Sequence, residues 1–476
     1  MQSVAEAVTR LEALATSEPL AALAERFVAA GHELALVGGP VRDAFLGRPL
    51  NDLDLATSAR PDDILRIVKP IADAHWDIGR AFGTIGARLG AHTVEITTYR
   101  ADTYSAGSRK PEVAFGDSLE GDLLRRDFRM NAMALRLPSR TLVDPSGGLD
   151  DLFARRLMTP GRPDASFDDD PLRMLRAARF AAQLDVAVDV TVIEAMERMR
   201  GRVSIVSAER VRDEMVKLLL SAAPRRGLAL LVDTGLAELV MPELPALRLE
   251  VDEHAHHKDV YEHSLTVLEQ AIELEGARLT SEAPDLVLRL AALMHDIGKP
   301  ATKRVEAGGA VTFHHHDVVG AKLARKRLTA LRFDKETITA VSRLIELHLR
   351  FFGYSDAPWT DSGVRRYVRD ADALLERLHV LTRADVTTRN RRKEARLRGA
   401  YDELERRIAA LAEQEELLAM RPDLDGEQIM ALLALRPGPI VGEAYRFLLE
   451  QRLDEGPLGE AEAERRLRVW FAARTG

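Results

Sequence analysis

Segments that favour β-strands are confined to one part of this chain. Short β-rich stretches bounded by glycine occur between residues 33 and about 145, at ELALVGG, NDLDLAT, GTIGARLG and HTVEITTYR. From Asp168 onwards such stretches nearly vanish, and apolar residues recur at helical spacing, as in PLRMLRAARFAAQL and DLVLRLAALMHDIG. A chain that separates its strands from its helices in this way is typical of an α+β protein. We therefore predict a small α+β head with a mixed sheet, followed by an all-α body.

The composition restricts the class of protein. Apolar residues make up 46% and charged residues 30% of the 476 residues, and no apolar run reaches the roughly 18 residues of a membrane span. The polar start after Met1 indicates no signal peptide. The absence of cysteine excludes disulfides and thiolate metal sites, which fits a cytoplasmic protein. The net charge of −8 argues against a protein coated with nucleic acid but permits a local basic surface.

The stretch LVGGPVRDAFLGRPLNDLDLAT combines a glycine turn with two alternating aspartates. Residues two apart in a strand point to the same face, so the carboxylates of Asp52 and Asp54 are expected to project together. Close carboxylates repel each other unless cations bridge them, and oxygen-only ligands favour Mg²⁺. Glu95, which alternates with apolar residues in TVEITTYR, could bring a third carboxylate from a neighbouring strand as a metal ligand or general base.

Gly38 and Gly39 lie between a predicted strand and a short helix. Such a turn directs backbone N–H groups and the helix dipole toward an anion. Arg42, on the first turn of that helix, could grip a phosphate. The glycines, the arginine and the aspartates together predict a site for a nucleoside triphosphate and its metal ions. The alternative is an ordinary turn followed by surface aspartates on an edge strand.

This stretch resembles the first motif of the class II tRNA nucleotidyltransferases, the CCA-adding enzymes and their bacterial poly(A) polymerase relatives. Four more motifs of that family follow in order, namely RRDFRMNAMAL, DPSGGLDDL, DDPLRMLRAARF and SAERVRDEM. The resemblance implies that Asp52 and Asp54 bind the catalytic metal ions and that Arg126 and Asp127 contact the nucleotide near its ribose. The full set of nucleotide-binding residues that we predict is Gly38, Gly39, Arg42, Arg126, Asp127, Asn131, Asp170, Arg173, Arg176 and Arg179.

The fourth motif suggests how a base is selected. Asp170 and Arg173 are three residues apart, which on a helix places them on one face. A carboxylate accepts and a guanidinium donates, so the pair could accept cytosine or adenine and reject uracil and guanine. The alternative is a surface salt bridge. Arg173, Arg176 and Arg179 form a helical stripe that could support the triphosphate, whereas Asp169 replaces the glutamate that is usual in the family.

These features predict an enzyme that adds or repairs the 3′-terminal CCA of tRNA from CTP and ATP without a nucleic-acid template. The RNA 3′-hydroxyl would attack the α-phosphorus with the help of two metal ions. The alternative is a poly(A) polymerase or an enzyme that adds only A. The segment DIGRAFGTIGARL favours CCA addition, because poly(A) polymerases of this family tend to carry two basic residues where this chain has Arg80 and Ala81.

A second set of residues indicates a metal centre. LAALMHDIGKP places His295 and Asp296 side by side near a helix end, with His263 on an earlier helix and Asp385 on a later one. This order resembles the HD superfamily of metal phosphohydrolases. Imidazole and carboxylate ligands together suit several divalent ions, including Mn, Fe, Ni, Zn and Mg, so the metal stays unidentified.

Other histidines surround this predicted centre. In FHHHDVVGA, His316 is a further candidate ligand, while His314 and His315 are expected at the surface. His348 lies among apolar residues and is expected in the core. If active, the domain would hydrolyse phosphomonoester or cyclic-phosphate RNA ends, and such hydrolysis is also an alternative to transfer as the main function. Further alternatives are a metal-free domain and a binding module with both sites inactive.

We predict five segments and a small set of partners. The expected partners are nucleoside triphosphates and the acceptor end of tRNA, with no membrane, and the sequence leaves the oligomeric state open. The segments are an N-terminal helical segment (1–32), a nucleotidyltransferase head (33–150), a helical recognition neck (151–245), an HD domain (246–395) and a helical tail (396–476).

Overall fold

The computed structural model describes most of the chain. The described residues are 3–50, 53–102, 113–116, 118–249, 259–279, 283–306, 311–351, 354, 359–387, 391–419, 421–455 and 458–475. Asp52, one of the two predicted catalytic aspartates, lies outside them. The chain forms two compact units, Met1–His348 with Glu376–Thr387 and Leu349–Leu375 with Thr388–Gly476.

A seven-stranded mixed sheet forms the centre of the head. Its strands are β1 (Leu34–Val37), β2 (Leu53–Thr57), β3 (Ala74–Trp76), β4 (Thr84–Leu89), β5 (His92–Thr98), β8 (Ala134–Leu137) and β9 (Leu142–Val143). Their order is β3-β4-β5-β2-β1-β8-β9. The pair β2 and β5 is parallel, and the other neighbouring pairs are antiparallel. A separate antiparallel ribbon consists of β6 (Arg100–Asp102) and β7 (Val113–Phe115).

Helices cover the sheet and connect its strands. They are α1 (Val4–Thr16), α2 (Leu20–Ala29), α3 (Gly39–Leu46), α4 (Pro61–Val68), α5 (Leu119–Leu124) and α6 (Gly148–Phe153), with 3₁₀ turns at Arg80–Phe82 and Arg129–Asn131. The first helix begins with a capping box, in which the Ser3 hydroxyl accepts from the Glu6 N–H and the Glu6 carboxylate accepts from the Ser3 N–H. The two side chains thus satisfy N–H groups that a helix start leaves unpaired.

The two faces of the sheet are buried to different extents. In β5, Val94 and Ile96 are buried whereas Glu95 is exposed, which is the alternation of a strand with one covered face. The face that carries Glu95 is covered at one end, where Ala56 packs with Leu119 and Leu123 of α5. The acidic residues therefore stand on the open end of a face whose other end belongs to the hydrophobic core.

The neck that follows is helical and packs tightly. It contains α7 (Pro163–Asp169), α8 (Leu172–Leu184), α9 (Val190–Met199), α10 (Ala208–Leu219), α11 (Pro224–Asp233) and α12 (Ala237–Val240), the short parallel strands β10 (Arg156–Leu157) and β11 (Ala187–Val188), and 3₁₀ turns at Arg200–Ile205 and Pro245–Leu249. A Cβ atom on Gly227 would lie 2.5 Å from the Ala178 carbonyl oxygen. Only glycine therefore permits the close contact between α11 and α8.

The remainder of the body is almost entirely helical. Its elements are α13 (Val260–Arg278), α14 (Leu286–Met294), α15 (Lys299–Thr302), β12 (Arg304–Val305), β13 (Val311–Thr312), α16 (His316–Ala330), α17 (Lys335–Leu347), α18 (Asp361–Ala371), a 3₁₀ turn at Asp372–Leu374, α19 (Leu375–Ala384), α20 (Arg391–Ala419), α21 (Gly426–Leu433), α22 (Pro439–Glu455) and α23 (Glu460–Thr475). The predicted α+β head followed by an all-α body is confirmed. Among the described residues, none of the helices combines the length and the apolar character that a bilayer crossing requires.

The second compact unit has a core of its own. Phe351 stacks on Tyr401 with ring centroids 3.4 Å apart. Near the end of the chain, α21, α22 and α23 pack around a separate hydrophobic cluster made of Leu424, Ile429, Ala444, Leu448, Ala463 and Leu467. Burial of these aliphatic side chains is what holds the last three helices together.

Candidate active site and metal centre

The glycine turn lies between β1 and α3, as predicted. Gly38 has φ +74°, a conformation that only glycine adopts without strain, and α3 begins at Gly39. A Cβ atom on Gly38 would also lie 3.0 Å from Nη1 of Arg126. The turn therefore requires glycine both for its backbone and for the close approach of an arginine, and the first N–H groups of α3 are directed away from the helix at this point.

The two described acidic residues lie side by side. Asp54 of β2 is the direct partner of Glu95 of β5 in the parallel pair, so both side chains project from the same face of the sheet. Neighbouring strands are roughly 4.8 Å apart, which brings the two carboxylates within range of a shared cation. Asp54 is partly buried and Glu95 is exposed. Their donor set consists of oxygen alone and fits a hard divalent ion such as Mg²⁺.

A buried chain of hydrogen bonds connects the glycine turn to the neck. Arg42 donates from Nη1 to Oδ1 of Asn131 (2.6 Å), and Asn131 donates from Nδ2 to Oδ1 of Asp127 (3.1 Å). Arg176 of α8 donates from Nε to Oδ2 of Asp127 (2.8 Å). Burial by itself would raise the pKa of Asp127, but the charge of Arg176 and the hydrogen bonds from Asn131 and Arg176 lower it to about 2. Asp127 is therefore ionised and fixes its partners.

This network changes the interpretation of two predicted residues. Both carboxylate oxygens of Asp127 are engaged inside the protein, so it positions Arg176 and Asn131 instead of facing the ribose freely. Arg126 differs, because its Nη2 donates to Asp122 (3.2 Å) while its Nε is buried and has no hydrogen-bond partner among the described residues. The atom of Arg126 that lies beside the turn is Nη1, 3.0 Å from the position of a Cβ atom on Gly38.

The predicted arginine stripe of α8 exists, but its members have different roles. Arg179 is buried and pairs with Glu214 of α10, and its guanidinium lies 4.0 Å from the centroid of the Phe180 ring. A group engaged in this way stabilises the neck and is poorly placed to support a triphosphate. Arg176 is about one-third exposed and contacts Asp127, which leaves it close to the buried chain described above.

The expectation that Asp170 and Arg173 share a helical face is wrong. Helix α7 ends at Asp169 and α8 begins at Leu172, so Asp170 has an extended backbone between them. The cause is Pro171, because a residue that precedes proline is disfavoured in the helical conformation. Asp170 accepts from Nη2 of Arg210 (2.7 Å), whereas Arg173 donates to the Ser166 hydroxyl (2.8 Å) and the Arg125 carbonyl oxygen (2.7 Å).

The four predicted metal ligands of the body converge in one buried cluster. Nε2 of His263 lies 2.9 Å from Oδ1 of Asp385 and 3.3 Å from Nε2 of His295. Nε2 of His295 lies 3.3 Å from Oδ2 of Asp296. A Cβ atom on Gly298 would lie 2.1 Å from the carbonyl oxygen of His316. Glycine at this position therefore allows the start of α16 to approach the turn that carries His295 and Asp296.

Two more histidines complete the cluster. The predicted candidate His316 lies with Nε2 3.3 Å from Oδ1 of Asp296. The expectation that His348 is only a core residue is incomplete: it is buried, but one of its ring nitrogens lies within 4.8 Å of ligand atoms of Asp296 and His316. His314 and His315 are exposed, as predicted. The sequence did not indicate that His348 lies in the cluster, because its apolar sequence neighbours are equally typical of a histidine in the hydrophobic core.

Three of the four histidines in the cluster are oriented in the same way, whereas Nδ1 of His263 contacts the Thr387 hydroxyl. In His295, His316 and His348, Nδ1 contacts the carbonyl oxygen of the residue three positions earlier, at 2.9, 2.8 and 2.6 Å. In the neutral ring this hydrogen bond places the proton on Nδ1 and directs the lone pair of Nε2 to the cluster, the arrangement that metal-binding histidines usually have. The six side chains form two neighbouring groups of three, one with His263, His295 and Asp385 and one with Asp296, His316 and His348.

The buried carboxylates of Asp296 and Asp385 make the cluster favourable for positive charge. Burial alone would lower the pKa of His295, but the charges of Asp296 and Asp385 raise it to about 10. Burial and the nearby charge of His295 lower the pKa of His348 to about 4. Lys299 adds its ammonium 2.9 Å from Oδ2 of Asp296. Two buried carboxylates surrounded by imidazole nitrogens fit a divalent ion, which could replace the proton on His295.

Comparisons with known protein families cover most of the chain. Residues 34–158 match the model of the poly(A) polymerase head domain. Residues 185–247 match that of a probable RNA- and SrmB-binding site of polymerase A. Residues 260–390 match that of the HD domain. The first match includes the glycine turn and the acidic pair, and the third includes the histidine cluster.

Several relatives are similar in sequence. An A-adding tRNA nucleotidyltransferase of Deinococcus radiodurans is 36% identical over 88% of this chain and 91% of its own length. A CC-adding tRNA nucleotidyltransferase of Thermus thermophilus is 33% identical over 91% of this chain and 93% of its own. A CCA-adding enzyme of Geobacillus thermodenitrificans is 40% identical over 44% of this chain and 50% of its own.

Solved structures are similar over nearly the whole chain. The Bacillus stearothermophilus CCA-adding enzyme in complex with CTP is 25% identical, has a TM-score of 0.56 and covers 95% of this chain and 97% of its own. The Thermotoga maritima CCA-adding enzyme complexed with tRNA is 17% identical, has a TM-score of 0.57 and covers 98% of both chains, a likeness that shows the fold alone.

Proposed function

Because this chain belongs to the tRNA nucleotidyltransferase family, two members of which match about nine tenths of it, we propose that it extends the 3′ end of tRNA with the nucleotides of the CCA sequence. CTP and ATP are the proposed substrates, and no nucleic-acid template is involved. The observation that carries the proposal is the direct pairing of Asp54 with Glu95 beside the Gly38 turn. An activity on tRNA would be compatible with the cytoplasmic location that the absence of cysteine leads us to expect.

The carboxylates would serve as the metal site of the transfer reaction. Asp54 and Glu95, together with Asp52, would hold Mg²⁺. When bound there, Mg²⁺ would supply positive charge that lowers the pKa of the 3′-hydroxyl and offsets the charge of the pyrophosphate. Glu95 could also accept the proton of the RNA hydroxyl, because its carboxylate is exposed whereas that of Asp54 is partly buried.

The glycine turn would hold the triphosphate. The backbone N–H groups at the start of α3 and the helix dipole attract phosphate oxygens. Arg42 contributes positive charge beneath the turn, where Asp43 and Asn131 fix its guanidinium. Arg126, whose Nη1 lies next to Gly38, would contact the nucleotide directly.

Asp170 and Arg173 remain the proposed base-selecting residues, although they do not share a helix. The carboxylate can accept from the amino group of cytosine or adenine, and the guanidinium can donate to their unprotonated ring nitrogen. Each group has a partner that an incoming base would replace, Arg210 for Asp170 and Ser166 for Arg173. A base with the reverse pattern, uracil or guanine, would leave these groups unpaired.

A second candidate is an enzyme that adds only part of CCA. It is favoured by one observation: the two relatives that match along about nine tenths of the chain add A or CC, whereas the CCA-adding relative matches about half of it. Both candidates use the same site and differ only in which nucleotides the enzyme accepts and when it stops.

Sequencing of tRNA 3′ ends separates these candidates. The purified chain would be incubated with Mg²⁺ and a tRNA that lacks CCA, or one that ends in CC, with CTP, ATP or both. For CCA addition we expect two C residues with CTP alone, one A on the CC-ending tRNA with ATP alone, and CCA with both. Addition of only CC or only A would identify the second candidate, an unlimited A tail would identify a poly(A) polymerase, and no extension would refute transfer.

The histidine cluster supports an additional phosphohydrolase activity. The six convergent side chains are suited to a divalent ion, which can activate water and bind phosphate oxygens. Lys299 would add an ammonium beside the phosphate. The test is release of phosphate from RNA 3′-phosphate or opening of a 2′,3′-cyclic phosphate with Mn²⁺, Ni²⁺, Zn²⁺ or Mg²⁺. Loss of that activity in His295→Ala would support it, and no turnover with any metal would exclude it.

The domain limits predicted from the sequence are part of the same proposal. The head of residues 33–150 would carry the transfer site, the neck of residues 151–245 would recognise the base, and residues 246–395 would hold the metal cluster. The tail of residues 396–476 would contribute to binding of the tRNA. Expression of residues 1–245 alone would test the second of these limits through its solubility and nucleotide binding.

A further inference from the structure

The paired row that contains Asp54 and Glu95 continues across the sheet to an aromatic residue. Gly86 of β4 is the direct partner of Glu95, and Trp76 of the edge strand β3 is the direct partner of Gly86. Directly paired residues project from the same face. The indole therefore stands on the face that carries the acidic pair, two strands from Glu95, a separation of roughly 10 Å.

Gly86 allows the indole to lie directly on the sheet. A Cβ atom on Gly86 would lie 2.0 Å from Nε1 and 2.1 Å from Cε2 of Trp76. Any other residue at this position would displace the ring. Trp76 nevertheless remains partly exposed. An aromatic ring held against a strand while partly open to solvent is the arrangement on which a nucleic-acid base can stack.

The in-line geometry of phosphoryl transfer places the RNA on the side of the acidic pair where Trp76 lies. In phosphoryl transfer the attacking and leaving oxygens lie roughly in line on opposite sides of the phosphorus. The glycine turn that would hold the triphosphate follows β1, on one side of β2 and β5, whereas β4 and β3 lie on the other side. With the pyrophosphate leaving toward Gly38, the 3′-hydroxyl must approach over β5 and β4, from the side of Trp76.

We infer that Trp76 stacks the unpaired base at the 3′ end of the tRNA acceptor strand and so holds its ribose hydroxyl toward Asp54 and Glu95. This inference rests on the proposed function. The terminal base changes as nucleotides are added, so its binding site must accept any base. Stacking does so because every base has an aromatic face. Arg88 lies two residues further along β4, is exposed, and projects from the same face, where it would attract the RNA backbone.

Kinetic constants for four variants test the inference. In Trp76→Ala we expect the KM for a tRNA lacking CCA to rise about tenfold or more, the range that loss of one base–aromatic stack produces, with the KM for CTP unchanged. Gly86→Ala should have the same effect, because its Cβ would displace the indole. Trp76→Phe should retain most of the tRNA binding. Phe82→Ala is the matched control, since Phe82 is 53% exposed but does not belong to the paired row.

Fluorescence supplies a readout that does not depend on turnover. The chain has three tryptophans, and replacing Trp359 and Trp470 by phenylalanine leaves Trp76 as the single emitter. We expect quenching when a tRNA lacking CCA is added and none when CTP is added alone. Circular dichroism melting of every variant establishes that it is folded before its constants are compared.

The outcomes separate this inference from the proposed function. If the wild-type chain extends tRNA while Trp76→Ala keeps its KM for tRNA, the stacking role is refuted and the transferase assignment stands. Quenching by CTP alone, or an equal rise of both KM values, would also refute it, because Trp76 would then serve the incoming nucleotide or the sheet itself. If the wild-type chain does not extend tRNA, the transferase assignment is refuted, and the stacking role that rests on it is refuted as well.

Discussion

Asp127 is a buried carboxylate whose charge is stabilised by neighbouring side chains instead of by water. Its pKa is lowered to about 2, below the ordinary value near 3.8, because Arg176 and Asn131 outweigh the effect of burial. A carboxylate whose pKa is lower in the folded than in the unfolded chain stabilises the folded state at any pH above its pKa in the unfolded chain. This contribution is lost as the pH falls through its pKa in the folded chain. The side chain thus makes the link between head and neck sensitive to acid.

Asp127→Asn should therefore alter the stability of the head in a pH-dependent way. At neutral pH we expect a loss of about 2 kcal/mol, which is what the lowered pKa implies. The difference from the wild type should shrink between about pH 4 and pH 2, where the native carboxylate becomes protonated. Thermal melting across that range measures it. Asp168→Asn is the control, because its carboxylate is 66% exposed and pairs with Arg202 at the surface, and an equal effect there would contradict the prediction.

The base-selecting role that we propose for Arg173 can be tested by its removal. Arg173→Ala should reduce the preference for CTP and ATP over UTP by roughly tenfold to a hundredfold, the usual value of a hydrogen bond to a charged group. The measurement is the ratio of kcat/KM values for the correct and incorrect nucleotides. Arg202→Ala removes an exposed arginine of the same neck and should leave the ratio unchanged. An unchanged ratio in Arg173→Ala would remove this residue from base selection.

At the scale of elements, the turn between β1 and α3 depends on the backbone of Gly38. Gly38→Ala should lower the stability by about 1 kcal/mol, since an alanine is strained at positive φ, and should also raise the KM for CTP, because its Cβ meets Arg126. Gly90→Ala is the matched control: Gly90 has φ +60° but nothing within 4 Å of its Cβ position. A rise in the KM for CTP in both variants would indicate general strain instead of a phosphate-binding turn.

The metal cluster is assembled from several helices, so ion binding should stabilise their packing. A divalent ion present at about a hundred times its Kd should stabilise the folded chain by about 3 kcal/mol, seen as a rise in Tm. His295→Ala should abolish that rise, and His348→Ala should reduce it if His348 is a ligand. His315→Ala, which changes an exposed histidine, should behave as the wild type. A metal-induced rise that survives in His295→Ala would refute the site.

Local sequence patterns predicted the elements better than their contacts. The alternation of HTVEITTYR correctly predicted that Glu95 faces away from the core, but its pairing with Asp54 depends on a parallel contact between distant segments. Helical periodicity predicted the row that contains Arg179, but its partner Glu214 comes from another helix. The position of Asp170 could have been predicted, because Pro171 directly follows it and excludes it from a helix.

At the scale of the whole molecule, the chain carries two candidate sites that share no side chain. The transfer site uses the sheet of the head and helix α8 of the neck, whereas the metal cluster uses α13, α16, the turn after α14 and the residues that follow α17 and α19. Because the net charge is −8, the proposed binding of tRNA would depend on the local placement of arginines. Because the two candidate sites share no side chain, changes in one of them should leave the chemistry of the other intact.

The most direct test compares nucleotide incorporation by the wild type, Asp54→Asn and His295→Ala. Each purified protein would be given a tRNA lacking CCA, Mg²⁺ and labelled CTP with ATP, in a single-turnover experiment read by the length of the product. We expect that the wild type and His295→Ala extend the tRNA at similar rates and that Asp54→Asn slows extension by a factor of a thousand or more, about 4 kcal/mol in the barrier. Extension by Asp54→Asn at the wild-type rate would contradict this expectation.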